Sequence, residues 1–174
     1  MPSSEGAQLS QILHRKVEEL KTVCKGVDEN TASRAPAGRW SPKEILSHLC
    51  GPEGAGLMPA LRAILEQDTP RLDIEAENPF FTGNRSRMTF DQLLGQLERE
   101  YDRMAELATG LSDKQLARKA HIPLFKEAPF GEYPTLAVFI RALGEHHLGS
   151  HIDHLREILQ ALGVAPAGKK DRTG

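Results

Sequence analysis

Cysteine is scarce in this 174-residue chain: Cys24 and Cys50 are its two thiols, too few for a disulfide framework. Cys24 shares the apolar face of a predicted helix with Leu20 and Val17 and reads as a buried free thiol. Cys50 stands close to His48, which leaves a reactive thiol as the alternative to packing. Apolar runs are short as well. None approaches the roughly 20 residues needed to cross a bilayer. The opening Met1-Pro2-Ser3-Ser4-Glu5-Gly6 lacks the basic and apolar blocks of a signal peptide. A cytoplasmic protein without a membrane partner is therefore expected. Excess charge is missing too: 22 basic residues against 24 acidic ones give a net charge of −2. Without a basic stripe, nucleic acid is disfavoured as a partner. No stretch alternates polar and apolar residues long enough to specify a strand, and there is no internal repeat.

What the chain has is helical periodicity. Leu9, Ile12, Leu13, Val17, Leu20 and Val23 recur on one face, and Gly26 stops the pattern. Ser41-Pro42-Lys43-Glu44 opens a second helix, with Ser41 as N-cap, Pro42 in the first turn and Glu44 completing a capping box. Gly51-Pro52 kinks or breaks it, and Leu57, Leu61 and Ile64 resume an apolar face, so one bent helix ending near Asp68 is expected. Thr89-Phe90-Asp91-Gln92 is another capping box, and the helix it starts ends at Gly110. Ser112 caps a short turn, and a long loop runs from His121 to Pro134. The fourth helix is predicted from Thr135 to about Leu162, closed by Gly163. These elements specify an all-α four-helix bundle as a single domain over 1–163, followed by a flexible tail over 164–174.

The fourth helix carries the chemistry. Glu145-His146-His147-Leu148-Gly149-Ser150-His151-Ile152-Asp153-His154 holds four of the seven histidines. On a helical wheel with His147 as origin, His151 falls at about +40°, with Ile140 and Ile158 near +20°. His147 and His151 therefore interrupt an otherwise apolar face, stacked one turn apart. His146 and Asp153 fall on the wet side, and His154 sits at the edge, at about −20°. Burying two imidazoles leaves polar nitrogens to satisfy. A metal ion does this at once; neighbouring hydrogen-bonding side chains are the alternative. A catalytic metal site commonly has three protein ligands. His48 is the best third candidate, on the flank of the second helix just before the Gly51-Pro52 break, where a bend would open a cavity. His154 reads equally as a residue at the mouth of such a cavity and as a surface or interface histidine. Glu53 and the acidic run Asp73, Glu75 and Glu77 read as solvated. Arg85 and Arg87, in a long loop, read as exposed, with anion binding as the alternative.

The segment Trp40-Ser41-Pro42-Lys43-Glu44-Ile45-Leu46-Ser47-His48-Leu49 resembles the W-S-x-x-E-x-x-x-H-L signature of the DinB/YfiT-like metal-binding bundles. His147-x-x-x-His151 is similar to that family's second signature, late in the last helix. The resemblance spans nearly the whole chain. It implies an up-up-down-down bundle, often a homodimer, with His48, His147 and His151 binding a divalent metal ion, nickel or zinc above all. Assigned activities in such families include thiol-dependent S-transferases and a maleylpyruvate isomerase, which makes a small-molecule substrate and a low-molecular-weight thiol the expected partners. Gly51-Pro52 and Gly54 depart from the pattern, standing where related chains continue a helix. Three neutral imidazoles would leave an ion its charge and an exchangeable position, suited to hydrolysis or thiol transfer. The alternative is a non-catalytic, metal-binding or stress-associated dimeric bundle.

Overall fold

The computed structural model describes residues 1–164, so all of the predicted tail except Val164 lies outside the described residues. Four helical segments carry the core. The first, α1 (Ser4–Cys24), starts where Ser3 accepts a hydrogen bond from the Glu5 amide. It buries Leu9, Leu13, Val17, Leu20 and Cys24, the 3- and 4-residue spacing read from the sequence. A one-turn helix, α2 (Glu29–Ala32), breaks the connection to α3 (Pro42–Leu49). α4 (Met58–Glu66) follows, then the long α5 (Phe90–Gly110) and a second one-turn helix, α6 (Asp113–Leu116). The last helix runs as α7 (Leu136–Arg141), a π-helical segment (Ala142–Leu148) and α8 (Gly149–Ala161). Both long capping boxes form as expected, Ser41 with Glu44 and Thr89 with Gln92. Each such cap stabilises its helix by about 1 kcal/mol.

Contacts between helices fix their directions. Ser3 N donates to Leu111 O at 2.8 Å, and Lys21 pairs with Glu98 at 3.0 Å, so α1 and α5 are antiparallel. Arg156 reaches Glu19 at 3.3 Å, while Gly144 lies against Ile12 and Leu13, so α1 and the last helix are parallel. Arg39 pairs with Glu157 at 2.9 Å while His48 meets His147, so α3 opposes α8. The bundle thus contains the expected two parallel pairs, shifted by one helix: read from the N-terminus, the order is up-down-down-up. The reason lies in the connections. Residues 25–41 spend their length on α2 and a turn and bring the chain back antiparallel, whereas the long stretch 67–89 makes the one parallel crossover.

The second helix is broken outright rather than bent. Between α3 and α4 the backbone is irregular, and Gly51 has φ +74° and Gly56 φ +69°, a region that disfavours other residues. Pro52 removes a donor as well. The buried Glu100 of α5 holds the break open, its Oε1 accepting from the amides of Leu57 at 2.6 Å and Met58 at 3.2 Å. A Cβ on Gly56 would run into that carboxylate. At its far end, α4 is capped by Arg118, which donates to Ile64 O at 2.7 Å and Gln67 O at 2.6 Å.

An isolated bridge between Arg71 and His121 ties the two long loops together, another between Lys119 and Thr135 closes the second loop on itself, and no strand forms among the described residues. No helix there is long and apolar enough to cross a membrane. Both cysteines are buried, and burial pushes each thiol up to about 12, so Cys50 is an inert packing residue and not a nucleophile.

Candidate metal centre

His48 leaves the last turn of α3, His147 lies in the last turn of the π-helical segment, and His151 lies in the first turn of α8. Because α3 opposes α8, the three side chains converge. One ligand nitrogen from each lies within 4.8 Å of the other two. Ring centroids are 5.0 Å apart for His48 with His147, 4.7 Å for His48 with His151 and 5.0 Å for His147 with His151. The π-helical turn was not legible in the 3.6-residue periodicity. It widens the stretch that carries His147, and such turns frequently accompany functional sites. The fully buried Tyr101 hydroxyl donates to Leu143 O within it at 3.4 Å.

The hydrogen bonding suits ligation. His48 Nδ1 lies 2.6 Å from the carbonyl of Asn78. A carbonyl only accepts, so Nδ1 carries the proton and Nε2 keeps its lone pair toward the cluster. That Nε2 and His151 Nδ1 are buried with no partner among protein groups. Leaving such atoms unpaired costs about 1–3 kcal/mol each, a penalty that ligation removes. The rings are also held neutral, as metal binding requires. Burial first, then the nearby His48 and His151, brings His147 down to about 3. Burial, then His48 and His154, brings His151 down to about 4. Burial lowers His48 against the opposing effect of the Asn78 carbonyl. The donor set, the orphaned atoms and the neutral rings all fit a divalent ion.

Aromatic rings wall the cluster. Trp40 lies parallel to His151, with 7° between planes, and Phe80 lies parallel to His48, with 2°. On the open side is a cavity of about 630 Å³, bounded by the α3–α4 break, both long loops and the π-helical segment. His48 and His147 face it. The expected cavity beside the helix break is therefore present.

Other expected residues fall elsewhere. Arg85 is not an exposed loop cation: it is 1 % exposed and donates to the carbonyls of Ser47, Gly51 and Pro52. It neutralises the carbonyl end of α3, where a cation is favourable, and this use excludes anion binding. Arg87 is exposed, as read. Glu53 is exposed but accepts from the Asn84 amide at 2.9 Å, pinning that loop to the helix break. Asp73, Glu75 and Glu77 are exposed, and the first two lie at the cavity rim. Asp153 faces solvent, paired with Arg156 at 3.0 Å. His146 is exposed but stands at the rim against Phe130, 5.8 Å between ring centroids. His154 is half-buried, 5.8 Å from His151 and 6.4 Å from Trp40 by ring centroid, and does not line the cavity.

The sequence gives Trp40 a place in the motif but not its packing on the histidines, and it gives no role to Phe80, Asn78 or Glu100. Trp40 had a usable signal, since it precedes the N-cap of the helix that carries His48. The Asn78 contact had none: it is made by a backbone carbonyl 30 residues from His48.

Comparison with known proteins agrees with this geometry. A solved structure of YfiT from Bacillus subtilis, described as a probable metal-dependent hydrolase with an unusual four-helix bundle topology, superposes with a TM-score of 0.74. The match covers 95% of this chain and 92% of that one at 20% identity, a likeness that establishes the fold. Comparison with curated proteins gave no match. The model of the DinB superfamily matches residues 12–158, which take in most of the bundle and all three histidines. This match, over most of its length, shows that the chain belongs to the DinB superfamily.

Proposed function

We propose that His48, His147 and His151 hold a divalent metal ion and that the chain is a metal-dependent enzyme, of hydrolase type in the first instance. The observation that carries this reading is the pair of buried, partnerless ring nitrogens, His48 Nε2 and His151 Nδ1, in a three-histidine cluster open to a cavity. A bound ion would supply a Lewis acid that brings water toward a pKa of about 7, or holds a thiolate as nucleophile. The chain's own residues do the rest. The Asn78 carbonyl fixes the tautomer of His48. Trp40 and Phe80 exclude solvent behind the rings and limit their rotation. The cavity orients an organic molecule against His147, and its presence favours an enzyme over a storage or stress-associated bundle.

Thiol transfer is the second reading. It is supported by the volume of about 630 Å³, within the roughly 300–1,000 Å³ usual for ligand sites and roomy enough for two small reactants. Nickel and zinc are the ions proposed, since imidazole suits both. A homodimer and a cytoplasmic location belong to the same proposal on the resemblance, and sedimentation velocity tests the former. The deciding assay reconstitutes the chain with nickel or zinc and screens esters, amides and thioesters with and without a low-molecular-weight thiol. Turnover that needs metal and vanishes in His147→Ala supports the reading. Turnover unaffected by a chelator contradicts it.

A further inference from the structure

The cavity beside the histidines has one polar end. His48, His147, His146 and Ser150 stand there, and the walls leading away are apolar, built by Leu57, Leu72, Phe80, Phe125, Phe139 and Leu143. The apolar character continues to the lip, where Leu124 is 49 % exposed and Ile74 36 % exposed. Large apolar side chains left in water at the rim of an apolar hollow mark a surface that something apolar covers.

Charge narrows the class. Among the described lining residues, Arg71 is the sole arginine or lysine, and it is occupied: its Nε donates to Asp73 Oδ1 at 3.1 Å on the exposed rim. Glu75 adds another carboxylate to the rim. Arg85 lies behind the wall with its guanidinium committed to the carbonyls of Ser47, Gly51 and Pro52. A carboxylate or phosphate on the body of a ligand would thus lose its hydration with no cation to replace it. It would also meet the rim carboxylates.

We propose that the cavity takes an uncharged, predominantly apolar molecule, seated with its polar reacting group at the His48–His147 end and its apolar body toward Leu124 and Ile74, and that it rejects carboxylates. For the position of the reacting end this rests on the metal-centre reading; for the character of the body it does not.

The test is calorimetric titration of chelator-treated protein with phenylalkyl amides of increasing chain length, beside the matching carboxylates. Each added methylene should tighten amide binding about fourfold until the cavity is filled. The carboxylates should bind at least about tenfold more weakly. Leu124→Arg, at the exposed lip where the apolar body lies, should weaken the longest amides and flatten the chain-length series while leaving the unfolding midpoint in place. Carboxylates binding as tightly as amides, or affinity independent of chain length, would overturn the inference. Metal bound normally beside a flat amide series overturns this inference alone. A fourfold series in a chain that takes up no metal upholds it and removes only the metal centre.

Discussion

The indole of Trp40 lies parallel to the imidazole of His151, with 7° between planes and 6.3 Å between centroids, and its centroid is 5.1 Å from that of His48. Trp40 is placed there by the α3 capping box, which fixes the backbone of Ser41 next to it. One residue therefore stands beside two of the three clustered histidines, from two opposing helices. It is also the single tryptophan of the chain, so its emission reports on the cluster. Titration with nickel should quench the fluorescence of the wild type and leave that of His147→Ala unchanged. Equal quenching in both proteins would place the ion elsewhere.

The Asn78 turn sets the tautomer of His48. Its side chain accepts from Phe80 N at 2.8 Å and donates to Glu75 at 2.6 Å, which keeps the Asn78 carbonyl turned toward His48 Nδ1. Asn78→Ala frees this turn at little cost to the fold, since the site is only partly buried. Metal affinity should fall by about 10-fold or more, the effect typical of groups that orient a ligand. An unchanged dissociation constant, read by competition with a chromophoric chelator, contradicts this role.

Arg85 is a structural cation. Arg85→Met would leave three carbonyls at the end of α3 without their donor, and should cost about 3 kcal/mol of stability. Urea unfolding measures it. A loss below about 1 kcal/mol would show that the carbonyls find water instead.

Acid should destabilise the metal-free chain through its histidines. His147 and His151 sit at about 3 and about 4 in the folded state, against an ordinary value of 6.5. Below 6.5 the unfolded chain binds protons that the native chain refuses, so stability rises with pH across this window. Their contribution is fully present above about pH 6.5 and is lost as pH falls through about 4 and then about 3. Replacing His147 and His151 together with Gln should flatten the dependence of the urea midpoint on pH between 7 and 4. Parallel curves for variant and wild type would remove these histidines as the cause.

Much of this was legible in the sequence because it rests on local rules. Ser41 and Glu44, or Thr89 and Gln92, announce their helices through contacts three residues apart. The i, i+4 spacing of His147 and His151 survives the π-helical segment because His147 lies in its last turn and His151 beyond it, in α8. What escaped depends on contacts distant in sequence. The second helix breaks fully because Glu100, some 43 residues on, captures the amides of Leu57 and Met58. Arg85 reads as a loop cation until the loop folds back onto the end of α3. The order of helix directions likewise follows from which connection crosses the bundle, and periodicity within a helix says nothing about that.

The central claim is that His48, His147 and His151 share one metal ion. Elemental mass spectrometry of the purified chain, wild type beside His147→Ala, tests it most directly. About one nickel or zinc ion per wild-type chain, lost in the variant, is the predicted result. No stoichiometric metal in the wild type, even after reconstitution with either ion, would contradict it and leave the three histidines as a polar feature of the core.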